Sequence, residues 1–371
     1  MQESAAIWSL LIEPGDQLSG YLRDELGVVE SLEIVRAGTS ATEISKLLPE
    51  DKFLPPKFLE TLDESLDCYR RRLRVINLEK SLAELHQLGG SLITPDDTKW
   101  PIMLSDLGKS QPPALWVLGD ANYLNSIEAI SVVGSRLASD YGLGITRDLV
   151  RYATANNWQI ISGGALGIDA MAHESAIKSG GKTIAVMAGG LDRLYPKQNL
   201  ELFEAIRQNG LLVSEMPPGI APSRWRFLQR NRLIAAFGRA TVVIEAGYRS
   251  GSINTAGHAN ELGRPVGAIP GRIDSVRSAG CHRLIRESRA ELIATPSQLA
   301  ELMGERIDEP ATWSRLSAIQ TRALDAVGSE ITTIEEIATN SGLTLFETNQ
   351  AALELTNLKL LIRNSAGWRK A

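Results

Sequence analysis

The sequence predicts an α/β protein whose central domain holds a doubly wound, mainly parallel sheet, preceded by a helical domain and followed by a smaller domain. From residue 129 onward, short and continuously apolar segments alternate with amphipathic helical segments. A strand that is apolar throughout is typical of a parallel sheet that helices cover on both faces. Residues 304–313 then form a charged linker with glycine and proline, before a last segment with its own apolar pattern.

The chain of 371 residues is too long for one ordinary domain. The predicted divisions are a helical domain over 1–62, a lead-in region packed on the core over 63–128, the central domain over 129–303, the linker over 304–313 and a C-terminal domain over 314–371.

The central domain contains six predicted strands, at 129–134, 158–162, 183–189, 211–215, 241–247 and 265–271. Helical segments separate them at 141–156, 168–180, 199–210 and 253–263, and an arginine-rich helix precedes the fifth strand. In the C-terminal domain, a helix, a tight turn at Gly342, a second helix and a strand-like tail are typical of a winged helix.

Composition excludes several classes of protein. No apolar run approaches the ~18 residues of a membrane span, and the first residues lack the basic segment of a signal peptide, so a cytoplasmic protein is expected. Cys68 and Cys281 lie far apart, and the four histidines show no ligand spacing. Two reduced thiols, no metal site and no cofactor are therefore expected.

Charge is distributed unevenly along the chain. The net charge is −5, yet residues 130–293 carry 20 basic and 13 acidic side chains. Residues 1–129 carry 12 basic and 21 acidic side chains, and residues 294–371 carry 7 and 10. A basic central domain between acidic flanks favours a polyanion as its partner.

Four loops after predicted strands share an anion-binding chemistry: GSR (134–136), SGGALG (162–167), MAGG (187–190) and EAGYRSGS (245–252). Glycine lets several N–H groups point into one concavity, and the next helix N-terminus adds partial positive charge. Since the carboxyl ends of parallel strands meet at one edge, these loops predict an extended anion groove. The sequence lacks a P-loop, and its first strand–helix turn lacks a dinucleotide fingerprint.

The segment RFLQRNRLIAA (226–236) places arginines in an apolar context, with no acid between Glu215 and Glu245. On one continuous helix, Arg230 and Arg232 would point about 200° apart. A shared basic patch therefore requires the helix to start near Asn231. The alternative is a buried salt bridge to Glu215 or Glu245.

Other polar and aromatic residues are weaker candidates. Tyr248 and other aromatic residues lie near basic ones and are candidates to stack on bases, whereas Phe227, beside Leu228, is expected in the core. Asp169 and His173 are four residues apart on a helix, and structural hydrogen bonds are their expected role. No nucleophile, base and orienting residue form a trio, so no enzyme is expected.

In order, these segments resemble the DprA/Smf family of DNA-processing proteins. The resemblance covers about 150 residues, among them SGGALGIDAMAH (162–173), TIAVMAGGLDRLYPKQN (183–199), RFLQRNRLIAAF (226–237) and VVIEAGYRSGSINTA (242–256). It implies a Rossmann-like central domain, an N-terminal domain like a sterile alpha motif (SAM), and a C-terminal winged helix. It also implies a homodimer that binds single-stranded DNA, protects incoming strands and loads the recombinase RecA during natural transformation.

The predicted DNA-binding residues combine the loops with the arginine-rich segment: Gly134, Ser135, Arg136, Ser162, Gly163, Gly164, Arg226, Arg230, Asn231, Arg232, Arg249, Ser250, Gly251 and Ser252. This chain departs from the family pattern at Leu166, where a basic residue is frequent, and also at Leu228 and His282.

Two other functions stay open at this point. The sheet and glycine-rich loops also resemble nucleoside-monophosphate phosphoribohydrolases, but the loop EAGYRSGSINTA has no glutamate at the needed place. A duplex reader would use the C-terminal domain, whose second helix carries Glu347 and Glu354 against one lysine, Lys359. Acidic surface repels phosphate, so protein contact is favoured for that helix.

Overall fold

A computed structural model describes residues 1–47, 55, 58, 60–305, 316–328, 331–364 and 366–371. The chain divides into two compact units, Met1–Glu305 and Arg306–Ala371. Apart from Gly304 and Glu305, the predicted linker 304–313 lies outside the described residues.

The N-terminal helices close a core of their own around Trp8, Leu22 and Leu66. Asp16 caps the second helix by accepting from the Ser19 N–H at 3.0 Å, and its other oxygen accepts from the Tyr69 hydroxyl at 2.7 Å. This core therefore continues past residue 62. Its helices are α1 (Gln2–Leu11), α2 (Gln17–Leu26), α3 (Val28–Ala37), α4 (Ala41–Leu47) and α5 (Leu62–Leu73).

A nine-stranded sheet in the order β1-β2-β6-β5-β4-β3-β7-β8-β9 forms the centre of the first unit. Strands β1 and β2 pair antiparallel with their neighbours, and all other pairs are parallel. The strands are β1 (Gly90–Ile93), β2 (Leu115–Gly119), β3 (Ala129–Val133), β4 (Gln159–Ser162), β5 (Thr183–Met187), β6 (Leu211–Ser214), β7 (Ala240–Val243), β8 (Val266–Ala268) and β9 (Glu291–Leu292).

Helices cover both faces of this sheet, which explains the continuously apolar strands. Val117 of β2 faces a core that contains Leu233, whereas the adjacent Trp116 faces a core that contains Phe203. The covering helices are α6 (Leu78–Gln87), α7 (Asp140–Ala155), α8 (Ile168–Lys178), α9 (Leu200–Asn209), α10 (Arg224–Phe237), α11 (Gly251–Glu261), α12 (Ala279–Arg286) and α13 (Pro296–Leu302). Short 3₁₀ segments lie at Ile102–Ser110, which is kinked at Gly108, and at Ala121–Asn125 and Lys197–Asn199.

The predicted α/β class is confirmed, and the sheet is larger than the six predicted strands. The chain leaves β3 toward β4, β5 and β6, and then returns to the other side through β7, β8 and β9. The strand order thus reverses beside β3, and in open α/β sheets this is where ligands bind, beyond the carboxyl ends of the strands. Strands β1 and β2 come from the lead-in region, which therefore extends the central sheet.

The second unit contains α14 (Ala318–Asp325), α15 (Ile334–Ser341), α16 (Leu345–Asn357) and the antiparallel hairpin of β10 (Leu361–Asn364) and β11 (Gly367–Lys370). Leu324, Ile337, Leu355 and Trp368 share its core. Three helices before a hairpin fit the order of a winged helix, and that assignment stays a prediction. Within the described residues, no helix is both long and apolar enough to cross a bilayer.

Candidate nucleic-acid interface

A cavity of about 330 Å³ lies where the strand order reverses, and we call it the central cavity. Three elements contribute most of its walls: the loop after β3, helix α10 and the start of α11. Its polar lining residues are Ser135, Arg136, Asp169, Arg230, Asn231, Ser250, Ser252 and Thr255, and Gly134 and Gly251 bring backbone to its surface.

Two glycines behind the cavity are required by close packing. A Cβ on Gly163 would lie 2.4 Å from the Arg230 guanidinium, and one on Gly167 would lie 2.3 Å from the Ser135 carbonyl oxygen. Gly167 also has a φ of +79°, which residues with side chains rarely adopt. The loop after β4 therefore lies directly against both the first loop and helix α10.

Helix α11 presents hydroxyl groups at its N-terminus. Ser250 caps the helix, and its Oγ lies 2.7 Å from the Ser252 Oγ. Both serines line the cavity, where the dipole of the helix favours negative charge.

The arginine-rich helix is continuous, so the prediction of a start near Asn231 is wrong. Helix α10 spans Arg224–Phe237 and is capped by Ser223, whose Oγ accepts from the Arg226 N–H at 3.2 Å. Residues 230–237 are all buried, so this half of the helix lies within the fold and shows no one-sided apolar pattern.

Arg230 and Arg232 therefore lie on opposite sides of α10 and make different contacts. The Arg230 Nη1 donates to the carbonyls of Gly163, at 2.7 Å, and Val186, and the side chain lines the cavity. The Arg232 Nη2 instead donates to both carboxylate oxygens of Glu215, at 2.6 and 2.9 Å, with both side chains buried. The alternative of a buried salt bridge to Glu215 is therefore correct for Arg232.

A buried carboxyl offsets part of the positive charge of Arg230. Burial raises the pKa of Asp169, while Arg230 and N–H groups of Ala165 and Gly163 act in the opposite direction. Burial also lowers the pKa of Arg230 to about 10, so Arg230 stays a cation at neutral pH. Arg136, the exposed lining cation, makes no salt bridge to a carboxylate among the described residues.

Arg136 also joins the central cavity to a neighbouring surface, which we call the aromatic depression. This depression of about 500 Å³ is lined by Arg136, Tyr195, Arg224, Phe227 and Leu228, with Pro222 and Ser223. The Arg136 Cζ lies 5.3 Å from the Phe227 ring centroid, and the Tyr195 ring lies edge-on at 5.8 Å. Phe227 is only half-buried, so the expectation that it belongs to the core is wrong.

Eight of the fourteen predicted DNA-binding residues line the central cavity: Gly134, Ser135, Arg136, Arg230, Asn231, Ser250, Gly251 and Ser252.

The other six lie elsewhere. Arg232 is on the opposite side of α10, and Arg249 is exposed beside the cavity. Arg226 makes a two-bond ion pair with Glu13, at 2.9 Å for each bond. Ser162, Gly163 and Gly164 are buried behind the cavity wall, where the Ser162 Oγ donates to the Val132 carbonyl at 2.7 Å.

Among the polar lining residues, sequence reasoning left Asp169 and Thr255 out of the site. Thr255 lies four residues after Gly251 on the same helix, so the helical period itself was an available signal. Asp169 and His173 make structural hydrogen bonds, as expected. The His173 Nδ1 lies 2.7 Å from the Thr183 Oγ1.

Because Arg232 is buried in an ion pair with Glu215, its loss should destabilise the fold, whereas the loss of the exposed cavity residue Arg136 should not. Arg232→Ala leaves a buried carboxylate unpaired, which costs about 3–5 kcal/mol of the free energy of unfolding. Arg136→Ala, at an exposed position, should change this energy by less than about 0.5 kcal/mol. Urea denaturation followed by tryptophan fluorescence measures both, and the double variant Arg232→Met/Glu215→Leu should recover most of the loss. Equal destabilisation by Arg136→Ala and Arg232→Ala would contradict the assignment.

His173 predicts a pH dependence of stability. Burial, and next the charge of Arg230, lower its pKa from 6.5 to about 3. Below pH 6.5 the unfolded chain therefore binds a proton that the folded chain does not. The free energy of unfolding consequently decreases as the pH is lowered, by about 2 kcal/mol at pH 5 for this group. Asp169, with its raised pKa, acts in the opposite sense.

Comparison with His173→Gln isolates the histidine. The free energy of unfolding of this variant should fall less between pH 7 and pH 5 than that of the unmodified chain. His86→Gln, at an exposed position, is the control and should follow the unmodified chain. Parallel pH profiles for all three proteins would show that His173 does not stay neutral.

Comparison with known proteins agrees with this fold. The family model for DNA recombination-mediator protein A matches residues 91–304. The putative DNA processing protein DprA of Mycobacterium tuberculosis is 43% identical over 279 residues, which cover 70% of this chain and 71% of that protein. The DNA processing protein DprA of Bacillus subtilis is 34% identical, over 62% of this chain and 76% of that protein.

Two solved structures are also similar. DNA processing protein A (DprA) from Streptococcus pneumoniae has a TM-score of 0.59 and 32% identity, over 73% of this chain and 96% of that one. DNA processing protein A from Helicobacter pylori, studied for its single-stranded DNA binding mode, has a TM-score of 0.51 and 29% identity, over 57% of this chain and 94% of that one. The resemblance in sequence is thereby confirmed, and the chain belongs to the DNA recombination-mediator protein A family, the DprA/Smf proteins.

Proposed function

We propose that this protein binds single-stranded DNA across the central cavity, protects the incoming strand and loads RecA onto it during natural transformation. The observation that carries the proposal is the position of Arg136. Its guanidinium lines the donor-rich central cavity and also lies over Phe227 in the aromatic depression. One side chain thus connects a place for phosphate to a place for bases.

The central cavity suits a phosphodiester. Serine hydroxyls, the N-terminus of α11 and two guanidiniums surround it, and the carboxyl of Asp169 already accepts two N–H groups. Donors of this kind position a nucleic-acid backbone without reading its sequence.

The aromatic depression explains a preference for single strands. Bases stack on aromatic side chains only when they are unpaired and splayed out, and each such contact contributes about 1–3 kcal/mol. Tyr195 is about half exposed, and Trp225 is also exposed on the same helix as Phe227. A duplex keeps its bases inside and would present only phosphates to this surface.

For the phosphoribohydrolase alternative, the described residues that line the central cavity supply one carboxyl, that of Asp169. This group comes from the loop and helix after β4, whereas the loop 245–252 contributes serine and glycine there. Incubation with AMP, followed by detection of free adenine, decides between the two functions.

DNA binding is tested by fluorescence anisotropy of labelled oligo-dT and a matched duplex over a range of salt. We expect the single strand to bind more tightly. Arg136→Ala should weaken binding and make the log–log salt slope shallower by about 0.7, the value for one lost phosphate contact on a single strand.

Arg151→Ala provides the matched control, because it removes the same charge from an exposed position on α7. Its salt slope should equal that of the unmodified chain. Tighter binding of the duplex, or equal salt slopes for Arg136→Ala and Arg151→Ala, would contradict the proposal that single-stranded DNA binds across the central cavity.

RecA loading is tested by the lag before RecA hydrolyses ATP on single-stranded DNA. The protein should shorten this lag, and Arg136→Ala should not, at concentrations where Arg151→Ala does. The expected reason is that loading requires the strand to be held by the loader. An unchanged lag at saturating strand binding would separate DNA binding from recombinase loading. The expected homodimer stays part of this proposal, with no interface assigned.

A further inference from the structure

A third depression borders the central cavity and shares no lining residue with the aromatic depression, and we call it the tyrosine depression. It has a volume of about 460 Å³ and is lined mainly by Leu137, Gly247, Tyr248, Val276 and Arg277. It shares Ser135 and Leu137 with the central cavity. Three depressions are therefore contiguous, with the donor-rich one between two that contain aromatic rings.

The chemistry of the tyrosine depression combines open apolar surface with cations. Leu137 and Val276 are 77% and 79% exposed, although both are large apolar side chains. An exposed apolar patch of this kind marks an interaction surface. Arg277 borders it and donates from Nε to the Leu137 carbonyl at 2.7 Å, which ties the loop after β8 to the loop after β3.

Tyr248 has the geometry of a stacking residue. The Arg283 Cζ lies 4.9 Å from its ring centroid, and Arg283 is itself held by Glu287 at 2.9 Å. The side chain is 57% exposed. A ring that is supported by a guanidinium on one face and largely exposed elsewhere offers its other face to a planar group, with little further loss of side-chain freedom.

We propose that the tyrosine depression binds a nucleobase of the same strand, stacked on Tyr248, on the other side of the phosphate held in the central cavity. This proposal rests on the proposed function, because it assumes a single strand in the central cavity. Continuity with that cavity and the neighbouring arginines favour a nucleic-acid base over an apolar peptide. The strand then crosses all three depressions, and bases lie on both sides of one anchored phosphate.

Abasic DNA separates base stacking from phosphate binding. Anisotropy should be measured for oligo-dT and for an abasic strand of equal length, with the unmodified chain, Tyr248→Ala and Tyr248→Phe. We expect Tyr248→Ala to weaken oligo-dT binding roughly 5- to 150-fold, the range for one lost base–aromatic contact. The abasic strand should bind Tyr248→Ala and the unmodified chain equally, and Tyr248→Phe should keep oligo-dT affinity because it keeps the ring.

Two arginines on helix α12 supply a matched pair. Arg283→Ala removes the guanidinium that supports the Tyr248 ring, and it should weaken the binding of oligo-dT more than the binding of the abasic strand. Arg286→Ala removes an exposed cation one turn away and should affect both strands equally.

The outcomes separate this inference from the proposed function. Equal losses on both strands with Tyr248→Ala, or no loss on either, would overturn the tyrosine depression while the effect of Arg136→Ala still supports the central cavity. Failure of the unmodified chain to bind either strand would overturn both.

Discussion

The buried guanidinium of Arg230 is the interaction on which the site depends. It donates to the carbonyls of Gly163, after β4, and Val186, on β5, and so fixes helix α10 against the carboxyl end of the sheet. Without the Arg230 side chain, these two buried carbonyls would each lose a hydrogen bond, which would lower the free energy of unfolding. The same contact explains why Gly163 has no side chain, since a Cβ would occupy the place of the guanidinium.

Several arginines of this region have partners within the fold, and only the others are available to a ligand. Arg232 is balanced by Glu215, Arg226 by Glu13, and Arg264 supports the end of α10 by donating to the carbonyls of Ala235 and Gly238 at 2.8 and 2.7 Å. A count of arginines therefore overstates the charge available to a ligand. The electrostatic attraction of the interface comes mainly from exposed cations at its rim, and such attraction is sensitive to salt.

Much of the central sheet and half of the candidate site were predictable because their causes are local. Strands such as β3 are continuously apolar, and the glycine-rich loops follow them directly, so the sequence order itself brings Ser135 and Ser250 to one edge. The rest depends on distant partners. Glu13 lies 213 residues before Arg226, and no local pattern links them. The start of α10 was misplaced because its second half is buried all round and lacks an amphipathic period.

One carboxylate, that of Glu13, connects the N-terminal helices to the edge of the aromatic depression. It accepts from Arg226 and also from Arg72, and although burial raises its pKa, these two arginines outweigh burial and hold the pKa below its usual value. A version of the chain that begins after these helices would leave Arg226 unneutralised next to Phe227. The segment between the first two helices therefore neutralises a cation beside the aromatic depression, and without it the chain would keep every residue of the central cavity but present Arg226 without this partner.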